Sequence, residues 1–224
     1  MRACSLERGD FGPRDFAPLS RVGISPGGLI VHPSLPVRNV KDLIALARAH
    51  PGKLSYSHSG IGSANHMAGE LFKSMSGTDI LHVPHKSSGE ARNDVMGGHV
   101  QMMFDAVTAM KGNVEAGEVR ALATTGLERS AVMPAVPTVN EAGVPGYEAT
   151  IWLGIMAPKG LPRPIVEKLN AEITRIVASP KIKEAWAKQG AVPMSMTPEA
   201  FGDYIRKDIA KWADVIKKSG MTIQ

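Results

Sequence analysis

The feature that most constrains the fold is an alternation, between residues 29 and 125, of short apolar segments with stretches whose apolar residues recur every three or four positions. "LIVH" at 29–32 reads as a strand. Asn39 then stands as an N-cap ahead of Val40, Leu43, Ile44 and Ala47, a helical stripe stopped by Pro51-Gly52. After a second strand, "KLSYS", the residues Ala64, Met67, Ala68, Leu71, Phe72 and Met75 form one helical face, with Ser63 placed to cap it and Gly77 to end it. Strand "ILHVPH", a helix over about 89–96, strand "VQMMFD", a short helix near 108–116 and strand "RALATT" continue the series. Such alternation predicts an α/β fold with a mostly parallel sheet and helices on its faces.

From 126 to 150 the chain turns Pro- and Gly-rich, and a further strand, "TIWLGIMAP", leads into a helical C-terminal third. Its last helix opens at Thr197-Pro198-Glu199 and puts Phe201, Ile205, Ile209, Trp212 and Ile216 on one side. That apolar side needs a sheet to cover, and residues 1–23 show almost no strand pattern. The first sixteen residues carry charges and no apolar h-region, and no apolar run approaches the ~18 residues of a membrane span, so neither a signal peptide nor membrane insertion is expected. Twenty-six Lys and Arg against 21 Asp and Glu give +5, but the basic residues are scattered and not interleaved with aromatics, which excludes nucleic acid as an expected partner. The balance suits an anionic small ligand. Cys4 is alone, so no intramolecular disulfide and no cysteine metal cluster is expected.

In a parallel sheet, ligands sit beyond the C-terminal ends of the strands, where helix N-termini aim free N–H groups inward. Three segments qualify and should share one edge: 57–63, 85–88 and 105–108. "GIGSAN" at 60–65 matches two of the three glycines of a dinucleotide fingerprint, with Asn65 in place of the third and no acid closing the next strand. A nucleophile elbow fails because Ser57, not Gly, stands two before Ser59. What remains is a loop of N–H and hydroxyl donors at a helix start, suited to a carboxylate or other small anion, or simply a capped glycine turn. Histidines 58, 66, 82 and 85 lack metal-motif spacing and no cysteine joins them, so core or supporting roles are expected and no metal is assigned. Asp105, at a strand end, could orient a ligand or cap the next helix.

The stretches "VHPSLPVRNVKDLIALARAHPGKLSYSHSGIGSANHMAGELF", "ILHVPHKSSGEARNDVMGGHVQMMFD" and "PAVPTVNEAGVPGYEATIWLGIMAPKGLP", in this order, resemble the tripartite tricarboxylate transporter substrate-binding proteins, the Bug or TctC-like family. The resemblance implies a two-lobed type II periplasmic-binding-protein-like fold that closes on a small carboxylic acid, with membrane transporter components as partners, no cofactor and no enzymatic activity. It assigns the ligand loop to Ser59, Gly60, Gly62 and Ser63, with His66 on the first helical turn and Asp105 at the third strand end. His58, His85 and Ser87 depart from the family's usual small residue, Tyr and Gly.

The family's signal peptide and the first lobe's Gly-Gly loop find no counterpart. The expectation is therefore a chain lacking the N-terminal part of lobe one, with residues 34–150 as lobe two and residues 1–33 with 151–224 as an incomplete lobe one. The two crossover strands would be "LIVHP" and "TIWLGIMAP". The family implies a periplasmic location, whereas a chain without a leader would stay cytoplasmic as written. The alternatives from other classes are a nucleotide-dependent enzyme using the 60–65 loop and a ligandless interaction protein.

Overall fold

The computed structural model describes residues 15–220; the expectations about residues 1–14, including Cys4, lie outside them. The first strand, β1 (Phe16–Ser25), is followed after Pro26 by β2 (Gly27–Val31). Then come α1 (Val40–Ala49), β3 (Ser55–His58), α2 (Ala64–Ser76), β4 (Leu81–Pro84), α3 (Ser88–Met96), β5 (Met102–Ala106), α4 (Val107–Glu115) and β6 (Arg120–Thr124). After the Pro- and Gly-rich stretch the chain continues through β7 (Ile151–Pro158), α5 (Arg163–Val177), α6 (Pro180–Ala187), the two-residue β8 (Val192–Pro193) and α7 (Pro198–Ser219).

The strands form two sheets, one ordered β4-β3-β5-β2-β6 and the other β7-β1-β8. In the larger, β3 pairs in parallel with β4 and β5, while β2 runs antiparallel to both β5 and β6. The expected mostly parallel sheet is thus mixed. β2 enters from a neighbouring sheet rather than from a helical crossover, and so arrives in the opposite direction. Two further expectations are corrected here. Residues 16–25 are a ten-residue strand, not a strandless lead-in, and "LIVH" does not cross between sheets but lies inside the larger one, the passage being made at Pro26. β1 escapes the periodicity because its register against β7 shifts between Pro18 and Ser20 and again between Arg21 and Gly23. Each irregularity breaks the alternation by which a strand is recognised.

The helix starts follow the capping residues. Asn39 accepts from the Asp42 N–H, Ser63 from His66 and Thr197 from Ala200, and Gly77 ends α2 in the left-handed conformation. Strand alternation divides the core in two. Leu29, Val31, Met102 and Phe104 point to the face covered by α1 and α2, where Phe72, Phe104 and Tyr147 meet. Ile30 and Met103 point to the opposite face, under α3 and α4. Each such buried side chain stabilises the fold by about 1.5–3 kcal/mol.

Helix α7 ties the two sheets together. Near its start, Phe201 is fully buried against Gly154 of β7, where a Cβ would lie 2.2 Å from the ring. Near its end, Val215 is buried in the α1/α2 core, with Trp212 and Ile216 packed beside it.

Candidate functional site

The strand ends of the larger sheet and the apolar side of α7 enclose a cavity of about 1150 Å³. All three segments singled out from the sequence reach it, through residues 59–65, 86–88 and 105–106. The opposite wall is apolar, with Trp152, Ile205, Ile209, Trp212 and Ile216, and carries one acid, Asp208.

The 59–65 loop needs its glycines. Gly60 and Gly62 have φ of 110° and 75°, a region that L side chains rarely adopt. The turn brings the Ser59 N–H (3.3 Å), the Ser59 hydroxyl (3.1 Å) and the Ser63 hydroxyl (2.6 Å) onto one acceptor, Asn65 Oδ1. The single Ser63 hydroxyl proton is shared between Asn65 Oδ1 and the Gly60 carbonyl, also 2.6 Å from Oγ, and the same oxygen accepts from the His66 N–H. Ala64 and Asn65 open helix α2, so their N–H groups have no intrahelical acceptor. Across a short gap, Ser87 caps α3 by accepting from Glu90 N–H, and Ser88 Oγ is 3.5 Å from Asn65 Nδ2. Lys86 lines the cavity with no ion-pair partner among the described residues. Two helix N-termini and one ammonium therefore face the same space, the arrangement that favours an anion.

Of the six residues the sequence singles out, Ser59, Gly60, Gly62, Ser63 and Asp105 line the cavity. His66 does not. It is fully buried behind the loop, where its Nδ1 accepts from the Gly62 N–H at 3.1 Å. Its imidazole stacks on His58 with centroids 4.1 Å apart. Burial, with the neighbouring imidazoles, pushes both rings down to about 4; Lys73 adds to the shift of His66. Behind them Tyr56 donates to Glu70 at 2.7 Å, and burial first, then the carboxylate, pushes its hydroxyl far up.

Asp105 is 6% exposed and its Oδ2 accepts from Arg92 Nε at 2.6 Å. The acid is therefore neutralised from α3, a partner thirteen residues away that no local pattern reveals. Two more residues escaped sequence reasoning. Asn65 registered only as a failed third glycine, though it gathers the loop's donors. Asp208 accepts from two indoles, Trp152 Nε1 at 2.8 Å and Trp212 Nε1 at 3.1 Å. The i, i+4 spacing of Asp208 and Trp212 is visible in the sequence; the approach of Trp152 from β7 is not.

Among described residues, no helix is long and apolar enough to cross a membrane. A family model described as tripartite tricarboxylate transporter family receptor matches residues 10–221. A protein encoded in the tcbD-tcbE intergenic region of Pseudomonas sp. strain P51 is 39% identical over 204 residues, which are 91% of this chain and 61% of that relative. This chain thus spans less than two thirds of that relative's length. Among solved structures, an R. palustris protein with adipate is 38% identical with a TM-score of 0.80, covering 94% of this chain and 71% of that one. The periplasmic binding protein BugD is 33% identical with a TM-score of 0.76, covering 93% and 71%. With its mixed sheet, its second small sheet and the donor-lined cavity between them, the chain belongs to the tripartite tricarboxylate transporter receptor family.

Proposed function

We propose that this chain binds a small carboxylic acid in the cavity beside α7, as the solute-recognising part of a receptor that delivers its ligand to a tripartite tricarboxylate-type transporter. It acts by binding, without chemical turnover and in the periplasm. The observation that carries the reading is the convergence of the α2 and α3 N-termini, the Ser59 and Ser63 hydroxyls and Lys86 on one space. A carboxylate placed there accepts charge-assisted hydrogen bonds, and the apolar wall of Trp152, Ile205 and Trp212 receives the carbon skeleton. The adipate-bound relative supports a dicarboxylate with an apolar spacer as the ligand class. Under this reading one lobe is built on the sheet that begins at β2 and the other on β1, β7 and β8, with the division at Pro26.

Calorimetric titration with a panel of carboxylates, adipate and malate included, tests it. Ser59→Ala and Ser63→Ala should each weaken binding by about 1.5–3 kcal/mol, the worth of a hydrogen bond to a charged group. Absence of binding by every member of the panel at millimolar concentration overturns the proposal.

A further inference from the structure

Behind the loop, on the side away from the cavity, three imidazoles that the sequence scatters over twenty-five positions are brought together. His58 ends β3, His82 lies in the parallel neighbour β4 opposite Tyr56, and His66 sits in the first turn of α2. One ring nitrogen from each lies within 4.8 Å of the other two.

The hydrogen bonds set His58 up as a ligand. Its Nδ1 lies 2.9 Å from the Gly60 carbonyl and 3.2 Å from the Gly60 N–H, so this one residue can hold either tautomer; with the proton on Nδ1 the carbonyl accepts it and the Nε2 lone pair is left for a metal. A backbone carbonyl fixing the far nitrogen in this way is the usual support of a metal-bound imidazole. His58 Nε2 lies 3.1 Å from His82 Nδ1. Two nitrogens bound at 2.0–2.1 Å to one tetrahedral zinc stand ~3.3 Å apart, so this pair is already close to ligand spacing. His66 is fully buried and its Nε2 has no hydrogen-bond partner. Leaving a buried polar nitrogen unpaired is destabilising, and neither the cavity nor the core gives it a role. His82 is exposed and opens the cluster to solvent.

We propose that His58, His66 and His82 form a binding site for a divalent transition metal of the zinc class, distinct from the carboxylate cavity. An all-imidazole donor set suits Zn, Cu or Ni rather than Ca or Mg, and water completes the fourth position. The His58 and His66 rings now face each other with planes 26° apart. Coordination turns them about χ2, a broad torsion for imidazole. In His66 the proton moves from Nε2 to Nδ1, which requires the Gly62 N–H to let go.

The test uses the untagged 224-residue chain carrying Cys4→Ser to remove the thiol, stripped with EDTA and titrated separately with Co²⁺ (visible absorption) and Zn²⁺ (calorimetry). One ion per chain is expected, with a rise in melting temperature. Loss of a ligand in His82→Ala or His58→Ala should weaken binding at least about tenfold. His85→Ala, whose imidazole is held 2.7 Å from Asp94, should bind as the parent does. His82 is exposed, so its variant decides the matter should His58→Ala fail to fold. Absence of binding of both ions at 100-micromolar concentrations, or affinity unchanged in His82→Ala, overturns the proposal.

Discussion

Asn65 Oδ1 occupies the point on which Ser59 N–H, Ser59 O–H and Ser63 O–H converge. Under the proposed function, this single amide oxygen stands where one carboxylate oxygen would sit, and the proposed ligand has to displace it. Asn65→Asp puts a permanent charged acceptor there, and an acid in the first turn of α2 also gains about 0.3–1 kcal/mol from the helix dipole. The variant should melt higher than the parent and lose added carboxylate by tenfold or more, about 1.4 kcal/mol. Calorimetry and thermal melts read the two effects; unchanged affinity shows that Asn65 does not compete for the seat. Local features of this kind were legible where they depend on neighbours in sequence: the Ser63 cap, the Gly77 stop and the two loop glycines all follow from residues within a turn. The Arg92–Asp105 ion pair and the Trp152–Asp208 hydrogen bond were not, because each joins elements that meet only through the sheets.

At the scale of elements, the helices were readable because their 3.6-residue stripes persist over their whole length, whereas β1 was lost to its two register shifts. Sheet direction was also lost, since it depends on where β2 enters and not on its own residues. The contact between β7 and α7 depends on the missing side chain of Gly154. A methyl group at this position would come 2.2 Å from Phe201 Cζ. Gly154→Ala should therefore force the helix off the strand and cost about 1–3 kcal/mol, the usual penalty of overpacking. Urea denaturation measures it, and a variant as stable as the parent shows that α7 is not seated on β7.

For the molecule as a whole, the smaller sheet is the exposed half. Among the described residues β7 is hydrogen-bonded on one side only, by β1. Leu153 and Ile155 on it are 47% and 41% exposed. An eight-residue edge strand with large apolar side chains is a template for pairing with another chain. Light scattering on the purified chain should show self-association that rises with concentration, and the double variant Leu153→Lys, Ile155→Lys should shift it to monomer. A parent that stays monomeric at high concentration overturns this.

Helix α7 spans both sheets along one wall of the cavity. Its 22 residues make a rod ~33 Å long, pinned at one end by Phe201 on the small sheet and at the other by Val215 in the larger core. Drawing the two sheets straight apart would pull one of these side chains out of its packing, at about 1.5–3 kcal/mol each. A rotation about the rod's own axis fares no better, because Phe201, Asp208 and Val215 project sideways from it and turning one sheet drags one set of contacts out of place. Helix α7 is therefore a strut that holds the small sheet and the larger one at a single setting around the cavity.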